Sequence, residues 1–257
     1  MQEADLDRHV QPAVFTELYP EIGAGGFPRN DQQLQFYARV DSLIKPIDSL
    51  LDLGAGRGAW RHSIPQYVAE LATFQGKVSE VIGVDVDPIV LENPTVDRAF
   101  VIDADTPNFD ELENESIDIV HARSVFEHVA NPGPLVREID RVLKPGGWVC
   151  AWTPNKWGLV GIIANLVPNS LHHKALTYLQ PWREEEDTFP TTYKLNTIRD
   201  LHSWFDPDSY EHHSYYFSGP PGYAGSSMIL ARAMNIYEWA APPPLRKNLH
   251  IFMNKKA

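Results

Sequence analysis

An apolar strand that runs straight into closely spaced glycines constrains this chain more than any other feature it carries. The segment is Leu50-Leu51-Asp52-Leu53-Gly54-Ala55-Gly56-Arg57-Gly58. Its leucines read as a buried strand, and the glycines permit a tight turn with close approach of the backbone to a ligand. A helix beginning near Ala59 would present its unpaired amides to that same ligand. Such a strand, turn and helix belong at the carboxyl edge of a parallel sheet.

The flanking sequence predicts the rest of that sheet. Short apolar runs recur at Ser49–Leu53, Val81–Val84, Ala99–Ile102, Ile117–His121 and Trp148–Trp152, with room between them for crossover helices. Leu135, Ile139, Val142 and Leu143 lie at helical spacing before Lys144-Pro145-Gly146-Gly147. This predicts a crossover helix closed by a tight turn, with Lys144 where the helix dipole favours a cation. Upstream, Leu34, Tyr37, Val40, Leu43 and Ile44 predict a helix over Gln32–Ile44, capped by Asn30 or Asp31 and packed over one edge of the sheet. Downstream, Ser214–Phe217, a helical Ser227–Trp239 and an apolar Leu249–Met253 follow, the last read as a closing strand. The reading is one domain over residues 1–257: an N-terminal helical lid at 1–45, a ligand-binding core at 46–154, a cap at 155–208, and closing strands and helix at 209–257.

Composition narrows the partners. A chain of 257 residues, 43% hydrophobic and 22% charged, suffices for one large α/β core. A net charge of -12, with no run of Lys and Arg, argues against a free nucleic-acid substrate. Cys150 is the single cysteine, and the acidic residues 1–30 do not resemble a secretory leader, so a cytoplasmic location is expected. The longest apolar stretch, Trp157–Val167, is broken by Gly161 and Asn165 and falls short of the roughly 18 residues a membrane span requires. Nothing in the sequence bears on oligomeric state.

The glycines alone leave two ligand classes open, because Gly54, Gly56 and Ala59 also fit the dinucleotide pattern. The acids discriminate. Asp52 lies where a pyrophosphate would approach, and an uncompensated carboxylate there favours a cationic ligand instead. Asp85 ends the second strand, where a carboxylate can accept both hydroxyls of a ribose. Asp103 and Asp105 end the third strand, within reach of an exocyclic adenine amine.

With these motifs in order, residues 50–155 resemble the core of class I S-adenosylmethionine-dependent methyltransferases of the small-molecule type. Phe126-Glu127-His128-Val129 is similar to that family's Leu-Glu-His-Val signature, and Leu143–Gly147, Thr153-Pro154-Asn155 and the terminal Leu249–Lys256 extend the likeness. The resemblance implies a Rossmann-like, seven-stranded, mostly parallel α/β sheet with an antiparallel terminal strand, helices on both faces and a helical cap. It implies S-adenosylmethionine as cofactor. Asp52, Gly54, Ala55, Gly56 and Gly58 would hold its methionine portion, Asp85 and Val86 its ribose, Asp103 and the Ala104 backbone its adenine, with Ala122 and Arg123 lining the site. The stretch from Gly58 to Asp85 exceeds the family's compact form, so extra turns are expected around Thr73–Ser79.

Methyl transfer from a sulfonium is an in-line displacement that mainly requires positioning. The acceptor is expected to be a small molecule, a metabolite or sugar-containing intermediate, methylated on oxygen first and nitrogen second. A hydroxyl must lose its proton, and His128, following the fourth strand, is the base to test. Arg123 could anchor an acceptor carboxylate or phosphate, or serve in an ion pair. His172-His173 and His212-His213 lack the spacing of metal ligands, since neighbours in sequence point apart, so no metal is expected. Trp152, Trp157, Tyr178, Trp182, Phe189, Tyr193, Tyr215 and Tyr216 form either a pocket or the cap's own core, and Glu184-Glu185-Glu186-Asp187 reads as a solvated loop. The alternatives are a nicotinamide-dependent oxidoreductase and a non-catalytic partner module of the same fold.

Overall fold

The computed structural model describes residues 13–58, 64–159, 161–162, 190–221, 224 and 227–257. Among the described residues eight strands form one sheet: β1 (Ser49–Leu53), β2 (Glu80–Asp85), β3 (Arg98–Val101), β4 (Ile117–Arg123), β5 (Leu143–Pro154), β6 (Tyr210–His212), β7 (Tyr215–Phe217) and β8 (Asn248–Lys255). Their order is β3-β2-β1-β4-β5-β8-β6, with β7 also on β8. Strands β1 to β5 are mutually parallel, while β8 runs antiparallel to β5, β6 and β7. The seven expected positions are present, but two short strands share the last one. β6 pairs with the end of β8 and β7 with its beginning. Between them the His213 amide bonds to the Phe252 carbonyl and the Ser214 hydroxyl takes the Phe252 amide, which breaks the edge strand in two.

The helices are α1 (Ala13–Leu18), α2 (Gln32–Leu43), α3 (Gln66–Ala72), α4 (Pro132–Val142), α5 (Ile198–Trp204) and α6 (Met228–Ala240). Alternation along each strand divides the core between two faces. Leu51, Leu53, Val120, Ala122, Val149 and Ala151 pack with Leu135, Ile139 and Val142 of α4 and Leu201 of α5. Leu50, Ile119, Cys150 and Trp152 pack on the other face with Phe36, Tyr37 and Val40 of α2 and Val68 and Ala72 of α3.

Asp31, not Asn30, caps α2, its carboxylate taking the Leu34 amide at 2.8 Å. The helix does not sit over an edge. Its Phe36 ring meets His121 on β4, Trp152 on β5, and His250 and Phe252 on β8, with centroids 5.5–6.3 Å apart. A fully buried aromatic pair, Phe36 and Tyr37, needs the broad middle of the sheet to cover it. Extra turns lie before β2 where they are expected: α3 ends at Ala72, and the amides of Lys77 and Val78 turn back onto the Phe74 carbonyl. The helix expected from Ala59 begins outside the described residues.

The Lys144–Gly147 turn is likewise corrected. α4 ends at Val142 and β5 starts at once, pairing Leu143 with Ile117 before Trp148 meets Ile119. The intervening residues bulge from a continuous strand, helped by Gly146 at φ 80°. Lys144 therefore serves Asp118, at 2.7 Å, rather than the helix end. Asp118 also takes the Ser49 amide, so one carboxylate joins β4, β1 and β5.

Residue 160 and residues 163–189 of the expected cap lie outside the described residues, among them His172-His173, Tyr178, Trp182, Glu184-Glu185-Glu186-Asp187 and Phe189. Of the described residues in that stretch, Leu195, Leu201 and Phe205 are buried in the main core with α4. Among the described residues no helix is long and apolar enough to cross a membrane.

A buried histidine marks the face beneath α2. The Arg39 guanidinium donates to the Tyr215 hydroxyl at 2.9 Å, and that hydroxyl lies 3.1 Å from His250 Nδ1. Since Tyr215 accepts from Arg39, its own proton goes to Nδ1, and the neutral ring carries its hydrogen on Nε2. Burial, with the Arg39 charge adding to it, pushes the His250 pKa down to about 3. The unfolded chain takes up this proton near the ordinary histidine pKa of about 6.5, so stability is fully present above that pH and is lost as pH falls toward the folded value. Glu238, pushed up by burial, opposes this trend, so the variant comparison isolates the histidine. Urea unfolding of His250→Gln at successive pH values between 6 and 4 should lose up to about 1.4 kcal/mol per pH unit of slope relative to the wild type. Parallel slopes would show that the ring is not held neutral.

Candidate active site at the carboxyl edge

The parallel register brings the ends of β1 to β4 to one edge, with Leu53 beside Val84 and Ala122, and Asp85 beside Val101. There the chain leaves β1 through Gly54, Gly56 and Gly58, at φ 70°, 52° and 71°, a region most side chains avoid. The turn is tied down on β2: the amides of Gly54 and Ala55 both reach the Val84 carbonyl, and that of Gly56 reaches Asp85 Oδ2 at 2.9 Å. These amides are therefore spent within the protein, and the turn offers a ligand shape more than donors. A Cβ at Gly54 would strike Val125, and one at Gly58 would strike Asn93 and Thr95. At Gly56 the nearest atom is Asp85 Oδ2 at 3.9 Å, so the space before that residue is open.

Asp85 takes the Gly56 amide on one oxygen and the Asp87 amide on the other, at 2.9 and 3.0 Å. Each oxygen keeps a lone pair, so the carboxylate is fixed in direction and still able to accept two hydroxyls. Val86 beside it is exposed. Asp103 accepts the amides of Thr106 and Asp105 and the Thr106 hydroxyl, all on Oδ1. Those bonds, Thr106's amide foremost, hold its pKa below the usual carboxylate range. Asp103 is exposed, with Ala104 exposed next to it.

Three of the expected side chains are buried. Asp52 is buried, and its carboxylate meets His121 Nδ1 at 2.7 Å across the β1–β4 register. It is compensated, so its charge no longer discriminates between ligand classes. Ala122 turns its side chain into the α4-side core and leaves only backbone at the edge. Ala55 is buried on the opposite face. Arg123 does lie at the edge, its guanidinium 5.4 Å over the Trp152 ring.

The segment after β4 turns sharply at Ser124, φ 55°. Glu127 is buried, accepts the Thr153 hydroxyl at 2.7 Å, and through its carbonyl takes the amides of Thr192 and Tyr193. Asn196 donates to the same Thr153 hydroxyl. Glu127 thus anchors the returning chain rather than facing a ligand. His128 is partly exposed, with Nδ1 3.0 Å from the Pro190 carbonyl and Nε2 4.0 Å from Glu127 Oε1. His212 and His213 sit elsewhere. β6 pairs with the end of β8, at the amino edge of the parallel strands, and His212 Nε2 bonds to the Phe205 carbonyl. Tyr193 and Trp152 are buried, Tyr215 holds His250 and the Tyr216 hydroxyl takes the Ile198 amide, so these aromatics serve packing; Trp157 remains half exposed.

Comparison with known proteins agrees with this geometry. Residues 51–151 match the family described as a methyltransferase domain. A ubiquinone biosynthesis O-methyltransferase of Hydrogenovibrio crunogenus is 28% identical over 200 residues, covering 67% of this chain and 77% of that protein. Among solved structures, a geranyl diphosphate C-methyltransferase of Streptomyces coelicolor is similar in fold at 14% identity and TM-score 0.53, covering 87% of this chain and 75% of the other. An S-adenosylmethionine-dependent methyltransferase of Thermotoga maritima is similar at 16% identity and TM-score 0.52, covering 95% and 99%. The family match begins in β1 and ends in β5, over the strands whose carboxyl ends carry the glycine turn and its acids. Sequence and fold meet on those strands: residues 51–151 match a methyltransferase domain, and the chain is similar in sequence and in fold to methyltransferases.

Proposed function

We propose that this enzyme methylates a hydroxyl oxygen of a small biosynthetic intermediate, with His128 as general base. The observation that carries this reading is the fixed orientation of His128. A carbonyl can only accept, so Nδ1 carries the hydrogen toward Pro190, and Nε2 is the basic nitrogen of the neutral ring. When Nε2 takes a proton, the buried Glu127 carboxylate 4.0 Å away favours the resulting imidazolium. An amine acceptor needs no such base, which is why the arrangement favours oxygen. Similarity to an O-methyltransferase of ubiquinone biosynthesis supports the same choice.

In this reading Asp85 accepts the ribose hydroxyls, Asp103 Oδ2 receives the adenine amine beside Ala104, and Gly54 to Gly58 leave room for the methionine portion. The open space at Gly56 and the two acids fit S-adenosylmethionine, which when bound supplies a methyl group already activated on sulfur. Arg123 and His128 border the place left for the acceptor. Replacement of His128 by Gln should lower kcat about a hundredfold or more while leaving the affinity for S-adenosylhomocysteine within about twofold. It should also erase the limb of the kcat profile in which rate rises with pH. The assay is transfer of isotopically labelled methyl to a panel of phenolic, alcoholic and amine acceptors, resolved by mass spectrometry. Full activity in the variant, or label only on nitrogen, would refute the proposal.

A further inference from the structure

We propose that Asn93 is a positioning residue for the cofactor: it grips the glycine turn from behind and sets the turn's shape before any ligand arrives. This rests on the reading of that turn as the cofactor site. Asn93 is buried, and both hydrogens of its amide go to the turn, to the Ala55 carbonyl at 3.0 Å and the Gly56 carbonyl at 2.9 Å. Its amide oxygen accepts the backbone amide and the hydroxyl of Thr95, at 2.9 and 2.7 Å. All four hydrogen-bonding valences of the side chain are thereby used. A side chain so fully engaged has one orientation, and the carbonyls it holds have one orientation too.

The local sequence produces this arrangement. Asn93 follows the 3-10 turn Pro88–Glu92, its own amide closing that turn on the Val90 carbonyl. Pro94 disfavours helical backbone at the residue before it, and Asn93 accordingly sits at φ -71°, ψ 112°. The chain then doubles back so that Thr95 meets the Asn93 oxygen. The same short segment begins with Asp85, which holds the Gly56 amide. The Gly56 residue is thus fixed from both sides, its N–H by Asp85 and its C=O by Asn93. This also explains Gly58, since a Cβ there would occupy the place of the Asn93 oxygen and the Thr95 hydroxyl. The expected consequence is preorganisation: a turn freed from Asn93 must be ordered by the ligand, and that ordering lowers affinity.

The test is calorimetric titration with S-adenosylhomocysteine of four proteins: wild type, Asn93→Ala, Asn93→Asp and Gly56→Ala, each below its own unfolding temperature. Loss of the two donated bonds should weaken binding by about tenfold or more in both Asn93 variants. In Asn93→Asp only the protonated carboxyl can donate to the turn. Its affinity relative to wild type should therefore recover as pH is lowered from 8 to 5.5, a trend that a purely structural role would not produce. If Asn93→Ala does not fold, Asn93→Asp, which keeps the same shape and the Thr95 bonds, carries the test alone. Weakened binding in Gly56→Ala with normal, pH-independent binding in the Asn93 variants would overturn the clamp and leave the site. Normal binding in all three variants would overturn the site reading, and the clamp with it.

Discussion

Asp85→Asn is expected to remove most of the affinity for S-adenosylmethionine while leaving the sheet folded. The substitution keeps the size of the side chain but replaces one accepting oxygen by a donor. A ribose offers two hydroxyls to the carboxylate, and bonds to a charged acceptor contribute about 1.5–3 kcal/mol each, so roughly a hundredfold loss or more is expected. The same oxygens accept the Gly56 and Asp87 amides, so the turn is loosened as well. Stability should change little, because Asp85 is only partly buried at the end of β2 and contributes nothing to either apolar core. Gly56→Ala attacks the same site by another route. Its backbone lies at φ 52°, which costs a non-glycine residue about 1 kcal/mol, and its Cβ enters the open space before the turn. Calorimetry with S-adenosylmethionine and S-adenosylhomocysteine, alongside thermal unfolding, measures both effects. Unchanged affinity in both variants would mean that the cofactor lies elsewhere.

The contrast between Asp85 and Asp52 shows what the sequence discloses about such a site. Strand boundaries were readable because alternation and glycine punctuation are local: Ser49–Leu53 is the strand that its residues predict, and Asp85 ends β2 where expected. The partner of a buried polar group is not local. His121 and Asp52 are separated by 69 positions, and only the placement of β4 directly beside β1 makes them neighbours. Asn93 gives a similar lesson, since Asn-Pro reads as a turn and nothing in it names the carbonyls of Ala55 and Gly56. Ala122 could have been assigned better. In a strand of period two it shares the face of Val120, which packs under α4, whereas Arg123 shares the face of His121. The place of α2 was hidden for another reason. Helical periodicity picks out the buried Tyr37 and Val40 but passes over the fully buried Phe36, and the strands these residues cover depend on the aromatic surface of β4, β5 and β8.

His121→Leu is expected to cost more stability than Asp52→Leu, although the two side chains share one hydrogen bond. Both are buried, and the rings of Phe36, Tyr37 and Phe74 stand 5.0–5.8 Å from the His121 ring. An apolar setting of this kind penalises whichever charge is left without compensation. A histidine deprived of Asp52 can be neutral at pH 7 at almost no cost, since its ordinary pKa is about 6.5. It loses one hydrogen bond, about 1–3 kcal/mol when the donor stays buried. An aspartate deprived of His121 must hold its charge among aromatic rings with less compensation, or give that charge up by taking a proton. Breaking the pair from the histidine side leaves a buried carboxylate with less compensation and should therefore cost more, about 3–5 kcal/mol. The double variant, with both polar groups replaced by leucine, should recover much of the loss, because two apolar side chains leave nothing to desolvate. Urea unfolding of the three variants at pH 7 decides the matter. Equal losses in the two single variants would mean that burial penalises the carboxylate no more than the imidazole.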